Sequence, residues 1–289
     1  MALSYPDPFQ NRTVHVVAPA EDSSGSLLGH IVLYRDVTHE VEVEKAKTEF
    51  VSMVSHELRT PMTSVKTSLT LLVEGAGGRL DPAAHELLEV ALRNADRLIR
   101  LVNDLLDLSR LEAGRMDLRV EPVAVADAVA ASIEMVAAFS EARGVTLRTD
   151  PPAEPQIVSA ERDRLVQVIV NLLSNAIKFS PKGGCVDVRW WRQDEWVVTE
   201  VRDHGAGIPR DQLKVVFDPF RQLDSSTTRE HGGAGLGLTI AQRIAQAFGG
   251  ELNVESEVSK GSRFSIRLPV ADRISGDPNE LVSTNPLQS

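Results

Sequence analysis

Two long helices follow from one pattern and its punctuation. From about His39 the chain turns helical, and Val54, Leu58, Pro61, Val65, Leu69 and Leu72 step by four, three, four, four and three residues. That is a single apolar stripe at helical period. The run Gly75-Ala76-Gly77-Gly78 ends the first helix. Asp81 and Pro82 restart the chain, a carboxylate that caps free N–H groups and a proline suited to the first turn. The second helix carries Leu98, Val102, Leu105 and Leu108 and closes near Gly114. A hairpin with one stripe per helix is too thin to bury both faces. Association of two copies into a four-helix bundle is the expected solution, with a monomer burying the stripe on its own second domain as the alternative.

Composition sets the limits on the rest. The 289 residues suffice for about two domains, and 42% apolar with 25% charged content is that of a soluble globular protein. A formal charge of −10 leaves no basic stripe to neutralise phosphates, which argues against nucleic acid as a partner. No apolar run approaches the ~18 residues of a membrane span, and no signal peptide opens the chain. Cys185 is the only cysteine, so internal disulfides and cysteine-rich metal sites are excluded and a reducing, cytoplasmic compartment fits.

The flanks of the hairpin read differently. Thr13 to Val17 and Gly29 to Tyr34 read as short strands, which are too little to stand alone in water. The expectation is a chain that begins inside a larger domain. Beyond Val120, helical patterns cover Val125 to Arg143, Glu161 to Phe179 and Leu238 to Phe248. Strand-like runs cover Gln156 to Ser159, Val186 to Arg192, Trp196 to Asp203, Glu251 to Ser256 and Ser262 to Leu268. The expected fold class is α+β, a helical hairpin followed by a two-layer α/β sandwich. Asp224 to Gly233 is polar and without periodicity, as suits a mobile lid, and residues 271–289 read as a disordered tail.

Several polar residues are placed for nucleotide chemistry. Asp203 ends an apolar strand and precedes Gly205 and Gly207, so its carboxylate could accept from an adenine amine while the glycines let the ring approach the backbone. Gly233, Gly235 and Gly237 open a helix, where amide groups suit phosphate. This is neither the dinucleotide fingerprint, because Leu238 replaces its third glycine, nor a Walker loop. Asn171 and Asn175 share one helix face, their amide oxygens suit Mg²⁺, and Lys178 lies a turn further on. Taken singly these are a turn and a polar helix edge. His56 lies just off the apolar stripe and points outward, with Glu57 and Arg59 beside it; alone it would be an ordinary surface histidine. His204 and His231 flank the glycine loops and stay open as ligands, although two isolated histidines do not by themselves make a metal site.

The order of these segments carries a resemblance. Phe50 to Pro61 resembles the phosphoacceptor box of the sensor histidine kinases of two-component systems, and Asn171 to Phe179 their asparagine box. Asp203 to Pro209, Phe217-Asp218-Pro219-Phe220, Gly233 to Leu238 and Gly261-Ser262-Arg263-Phe264 resemble the remaining boxes, in the family's order. Gly29 to Thr38 resembles the last strand of a PAS sensor domain.

The resemblance implies a PAS-like remnant over 1–38, a dimerisation and phosphotransfer hairpin over 39–116, and a Bergerat-type ATP-binding domain over 117–270. His56 is then the phosphoacceptor, Glu57 its acid-base partner, and Thr60 the residue that orients a water for dephosphorylating a response regulator. Asp203 would hold adenine, with Gly205, Gly207 and Ile208 around it, and Asn171 with Asn175 the Mg²⁺. Lys178, Phe220, Arg221, Gln222, Gly233, Gly235, Leu236, Gly237 and Leu238 would complete the ATP site. Gln222 stands where many relatives carry an arginine for the γ-phosphate, and Arg221 precedes it. Ala234 replaces a common threonine. The implied partners are a response-regulator receiver domain and a second copy of the chain. Chaperone, topoisomerase and mismatch-repair ATPases share the ATP fold but lack the phosphoacceptor hairpin, and a scaffold with lapsed activity is disfavoured by the near-complete set of side chains.

Overall fold

A computed structural model describes residues 13–21, 27–36, 38–76, 78, 80–113, 116, 118–221 and 235–271. β1 (Thr13–Glu21) and β2 (Leu27–Asp36) form an antiparallel pair. Then come α1 (Thr38–Val73), which runs through Pro61 without ending, and α2 (Pro82–Glu112), packed together as a hairpin. Asp81 Oδ1 accepts from the Ala83 and Ala84 N–H groups at 2.8 and 2.9 Å, the cap expected from its place before Pro82.

The second unit begins with β3 (Glu121–Ala124), α3 (Val125–Arg143), β4 (Thr146–Asp150) and β5 (Ile157–Ala160). It continues through α4 (Arg162–Phe179), β6 (Cys185–Gln193) and β7 (Trp196–Asp203) to α5 (Gly237–Ala247), β8 (Glu251–Glu257) and β9 (Gly261–Pro269). β3 pairs with β5, and a five-stranded sheet has the order β4-β6-β7-β9-β8, antiparallel except at β4–β6. The helices cover one face. Val186, Val188, Val201, Ile266 and Leu268 meet Leu165, Ile169, Leu172, Ile240 and Ile244 in one core. The other face is charged: Arg189 and Arg263 lie 2.6 and 3.2 Å from the buried Glu200 carboxylate. A sheet apolar on one side and polar on the other is the two-layer sandwich the alternation implied.

Two strands escape the sequence pattern. β3 holds Pro122 and spans 4 residues. β4, Thr-Leu-Arg-Thr-Asp at the sheet edge, is almost wholly exposed, so no apolar alternation marks it.

One stripe residue needs correction. Leu98 and Leu105 stay 48% and 38% exposed in the single chain, as a surface awaiting a partner would be. Leu108 is 5% exposed because it joins the core of the α/β unit instead of continuing the bundle seam. There α2 packs on α5, and Asp107 Oδ2 accepts from Arg164 at 2.7 Å and Gln167 at 3.0 Å. The expected lid, Asp224 to Gly233, and the tail beyond Ala271 lie outside the described residues.

Burial, reinforced by the charge of Asp107 and opposed by Arg100, pushes the Asp104 carboxyl up to about 6. The folded chain therefore binds a proton there that the unfolded chain has lost, and stability falls as pH rises from the ordinary carboxyl value of 3.8 to about 6. Asp104→Asn removes this penalty. Denaturant melts should show the variant more stable by about 1–2 kcal/mol at neutral pH, after discounting for residual solvent, and equal to the parent in acid below that window.

Candidate nucleotide site and phosphoacceptor

Asp203 ends β7 with its side chain on the helix-covered face, 4% exposed. Its Oδ1 accepts from the Gly205 and Ser262 N–H groups at 2.9 and 3.2 Å. Both N–H groups end on Oδ1, and the Ser262 hydroxyl also interacts with this carboxylate. Burial holds this carboxyl above its ordinary value, outweighing the two N–H bonds and His204.

The two glycines allow close backbone packing. A Cβ on Gly205 would run into the Phe179 carbonyl, and one on Gly207 into the Glu257 carbonyl. Gly207 also takes φ 71°, in the left-handed region. They therefore let α4 and the β8–β9 turn close on the loop after β7, backbone against backbone. Ile208, buried, is pinned by its N–H to Ser256 Oγ at 2.7 Å.

Asn171 and Asn175 lie half-buried on α4. Asn171 Nδ2 donates to the Gly237 carbonyl at 3.1 Å, joining the asparagine helix to the start of α5. With its amide nitrogen so engaged, Asn171 Oδ1 is the free donor, an oxygen that fits Mg²⁺. Leu236, buried, precedes α5 and makes no side-chain cap, and among the described residues no partner is seen for the first-turn N–H groups of Gly237 and Leu238, which suit an anion. Gly235 meets the loop that follows Ile208: Phe220 N–H donates to its carbonyl at 3.1 Å, and Thr239 Oγ1 donates to the Phe217 carbonyl at 2.7 Å. Phe220 is 63% exposed and sits at φ 62°, a conformation uncommon for a bulky residue. Arg221 is exposed, 4.0 Å from Asp218. Gln222 and Gly233 lie outside the described residues. The Lys178 ammonium lies 5.0 Å from the centre of the Phe179 ring, and burial and Arg143 lower its pKa.

On the hairpin, His56 and Glu57 are exposed on α1. Thr60 Oγ1 donates to the His56 carbonyl at 3.4 Å, a long bond on an exposed surface. Arg59 spans the hairpin to Asn103 Oδ1 at 3.1 and 2.6 Å, a structural tie that the sequence did not disclose. Arg59, Thr60, Thr63, Ser64, Thr67 and Ser68 line a shallow, open groove of about 540 Å³ along α1. Ser262 was also missed as a site residue. Only the β7–β9 register brings its N–H to Asp203.

Comparison with known proteins agrees with this fold. Residues 46–114 match the His Kinase A (phospho-acceptor) domain, and residues 160–272 match the histidine kinase-, DNA gyrase B- and HSP90-like ATPase. The chain belongs to the sensor histidine kinases of two-component systems. It is 35% identical over 260 residues to the sensor histidine kinase WalK of Bacillus subtilis, covering 89% of this chain and 42% of that protein. Against the circadian input-output histidine kinase CikA of Synechococcus elongatus it is 35% identical over 226 residues, covering 78% and 30%. The crystal structure of full-length ShkA in complex with AMPPNP superposes with a TM-score of 0.66 at 29% identity, covering 78% of this chain and 46% of that one. The chain thus spans less than half of each of these proteins.

The glycine geometry is directly testable. Gly205→Ala should destabilise the fold by about 1–3 kcal/mol in urea melts, because a backbone carbonyl must move. Gly237→Ala should be tolerated, since its Cβ would stand 3.4 Å from the Asn171 side chain.

Proposed function

We propose that this chain autophosphorylates His56 from ATP and passes the phosphoryl group to an aspartate of a response-regulator receiver domain. The observation that supports it best is the Asn171–Gly237 bond at 3.1 Å, which draws together two motifs that are separate in sequence, in a unit that also buries Asp203. Asp203 holds the adenine amine. Asn171 and Asn175 supply oxygens to Mg²⁺, which neutralises phosphate charge. The first turn of α5 binds phosphate oxygens, and Arg221 or Gln222 steadies the γ-phosphate from the lid. The His56 imidazole attacks the γ-phosphorus as the bond to the ADP oxygen breaks. Glu57 takes the proton the ring sheds.

The remaining assignments belong to the same reading. Exposed Leu98 and Leu105 support a homodimer built on the hairpin. Residues 39–116 form the phosphotransfer hairpin and 117–270 the ATP-binding domain, and the β1–β2 pair ahead of α1 ends a PAS-like unit. The kinase works in the cytoplasm, and among the described residues no helix is long and apolar enough to cross a membrane.

With γ-labelled ATP and Mg²⁺ the chain should acquire an acid-labile label. His56→Gln should abolish the label while calorimetry shows normal ATP binding, and Asp203→Asn should weaken ATP by about 1–3 kcal/mol. A label that survives His56→Gln sinks the acceptor assignment.

Thr60 has an exposed hydroxyl one turn beyond His56, at the head of the hydroxyl-lined groove. Thr60→Ala should leave autophosphorylation and transfer intact but slow dephosphorylation of the regulator by this protein. Equal decay of regulator phosphate with the variant and the parent makes the hydroxyl structural only.

A further inference from the structure

Cys185 and His204 are separated by almost twenty positions, yet the antiparallel pairing of β6 and β7 makes them neighbours. Val186 stands opposite Asp203, both on the core side, so the residues flanking that pair, Cys185 and His204, turn to the bare face of the sheet. Asp187, two residues along β6, shares that face. His204 Nε2 lies 2.8 Å from Asp187 Oδ2, and one ligand atom from each of Cys185, Asp187 and His204 falls within 4.8 Å of the other two.

We propose that Cys185, Asp187 and His204 form a site for a borderline transition-metal dication, zinc above all, on the open face of the sheet behind Asp203. Ligand atoms around a tetrahedral zinc stand about 3.3–3.7 Å apart, given bonds near 2.0–2.3 Å. Side-chain shifts of about an ångström bring this cluster to that spacing, with Cys185 and Asp187 half-buried on the sheet and His204 exposed and already held against Asp187. Metal entry replaces the His204–Asp187 contact with two metal bonds and releases the Cys185 thiol proton. Three protein ligands leave a fourth position for water.

The neighbours decide which cation fits. Arg148 on β4 and Arg202 on β7 stand opposite Asp187 in the registers of the two adjoining strands. These two positive charges oppose any cation held by charge alone, which disfavours Mg²⁺ and Ca²⁺. Thiolate and imidazole bind zinc through softer bonding, so the Cys-Asp-His set selects it. The site is separate from the Mg²⁺ oxygens of Asn171 and Asn175, because it uses the opposite face of the sheet. A metal here ties β6 to β7 at the end from which Asp203 and the Gly205–Gly207 loop project.

Cobalt is the spectroscopic probe of choice. The untagged, reduced, nucleotide-free 289-residue chain should bind one equivalent of Co²⁺ with a thiolate-to-cobalt charge-transfer band, which Zn²⁺ displaces and Mg²⁺ does not. Cys185→Ser should abolish the band. His204→Ala and Asp187→Asn, exposed or half-exposed changes whose folding is checked by circular dichroism, should each weaken Co²⁺ by about 100-fold or more, since even outer-shell changes cost 10–100-fold. As an independent readout, Zn²⁺ should slow alkylation of Cys185 in the parent and not in His204→Ala. Absence of the band, or a band and protection unchanged in His204→Ala, overturns the site.

Discussion

Helix α4 buries Leu165, Ile169, Leu172, Leu173 and Ile177 completely against the sheet, and the nucleotide site depends on that seam. A helix that gives so wide an apolar face to the core has a fixed rotation, because any turn would expose aliphatic surface at about 25 cal/mol per Å². That rotation sets Asn171 and Asn175 at the rim, where Asn171 meets the Gly237 carbonyl. The end of the same helix delivers the Phe179 carbonyl into the space beside Gly205. Apolar burial thus positions polar groups that contribute little to stability themselves.

The sheet distributes its chemistry between two faces by the same geometry. Along β7 the buried Asp203 faces the helices, while His204, one residue later, faces solvent beside Cys185 and Asp187. Strand alternation therefore places the proposed nucleotide acceptor and the proposed metal cluster on opposite faces of the sheet. At the other end of the α/β unit, Asp107 of α2 grips Arg164 and Gln167 of α4. The phosphoacceptor helix pair is thereby connected to the helix that carries the asparagines.

Much of this was legible along the chain. The Asp81–Pro82 restart, the run Val125–Arg143 and the strand Trp196–Asp203 have local signatures, and the structure reproduces their limits. β3 and β4 left no signature because one is short and contains proline while the other is an exposed edge. Leu108 continues the helical period of the stripe yet packs in another core, since periodicity tells that a side chain is buried and not against what. Gly205 and Gly207 were legible as necessary glycines. The reason for them, backbone packed on backbone, was not.

The sequence by itself determined the two helices of the hairpin, the alternation of the sheet, and the order of motifs that marks a histidine kinase. These depend on spacings of a few residues, for which local period and capping chemistry suffice. Only the tertiary structure decided that Ser262 supports Asp203, that Arg59 is tied to Asn103, and that Cys185, Asp187 and His204 converge. Each of those contacts joins residues on different elements, and their meeting follows from strand register and helix packing, which are set by the burial of the whole core and not by any neighbour in sequence.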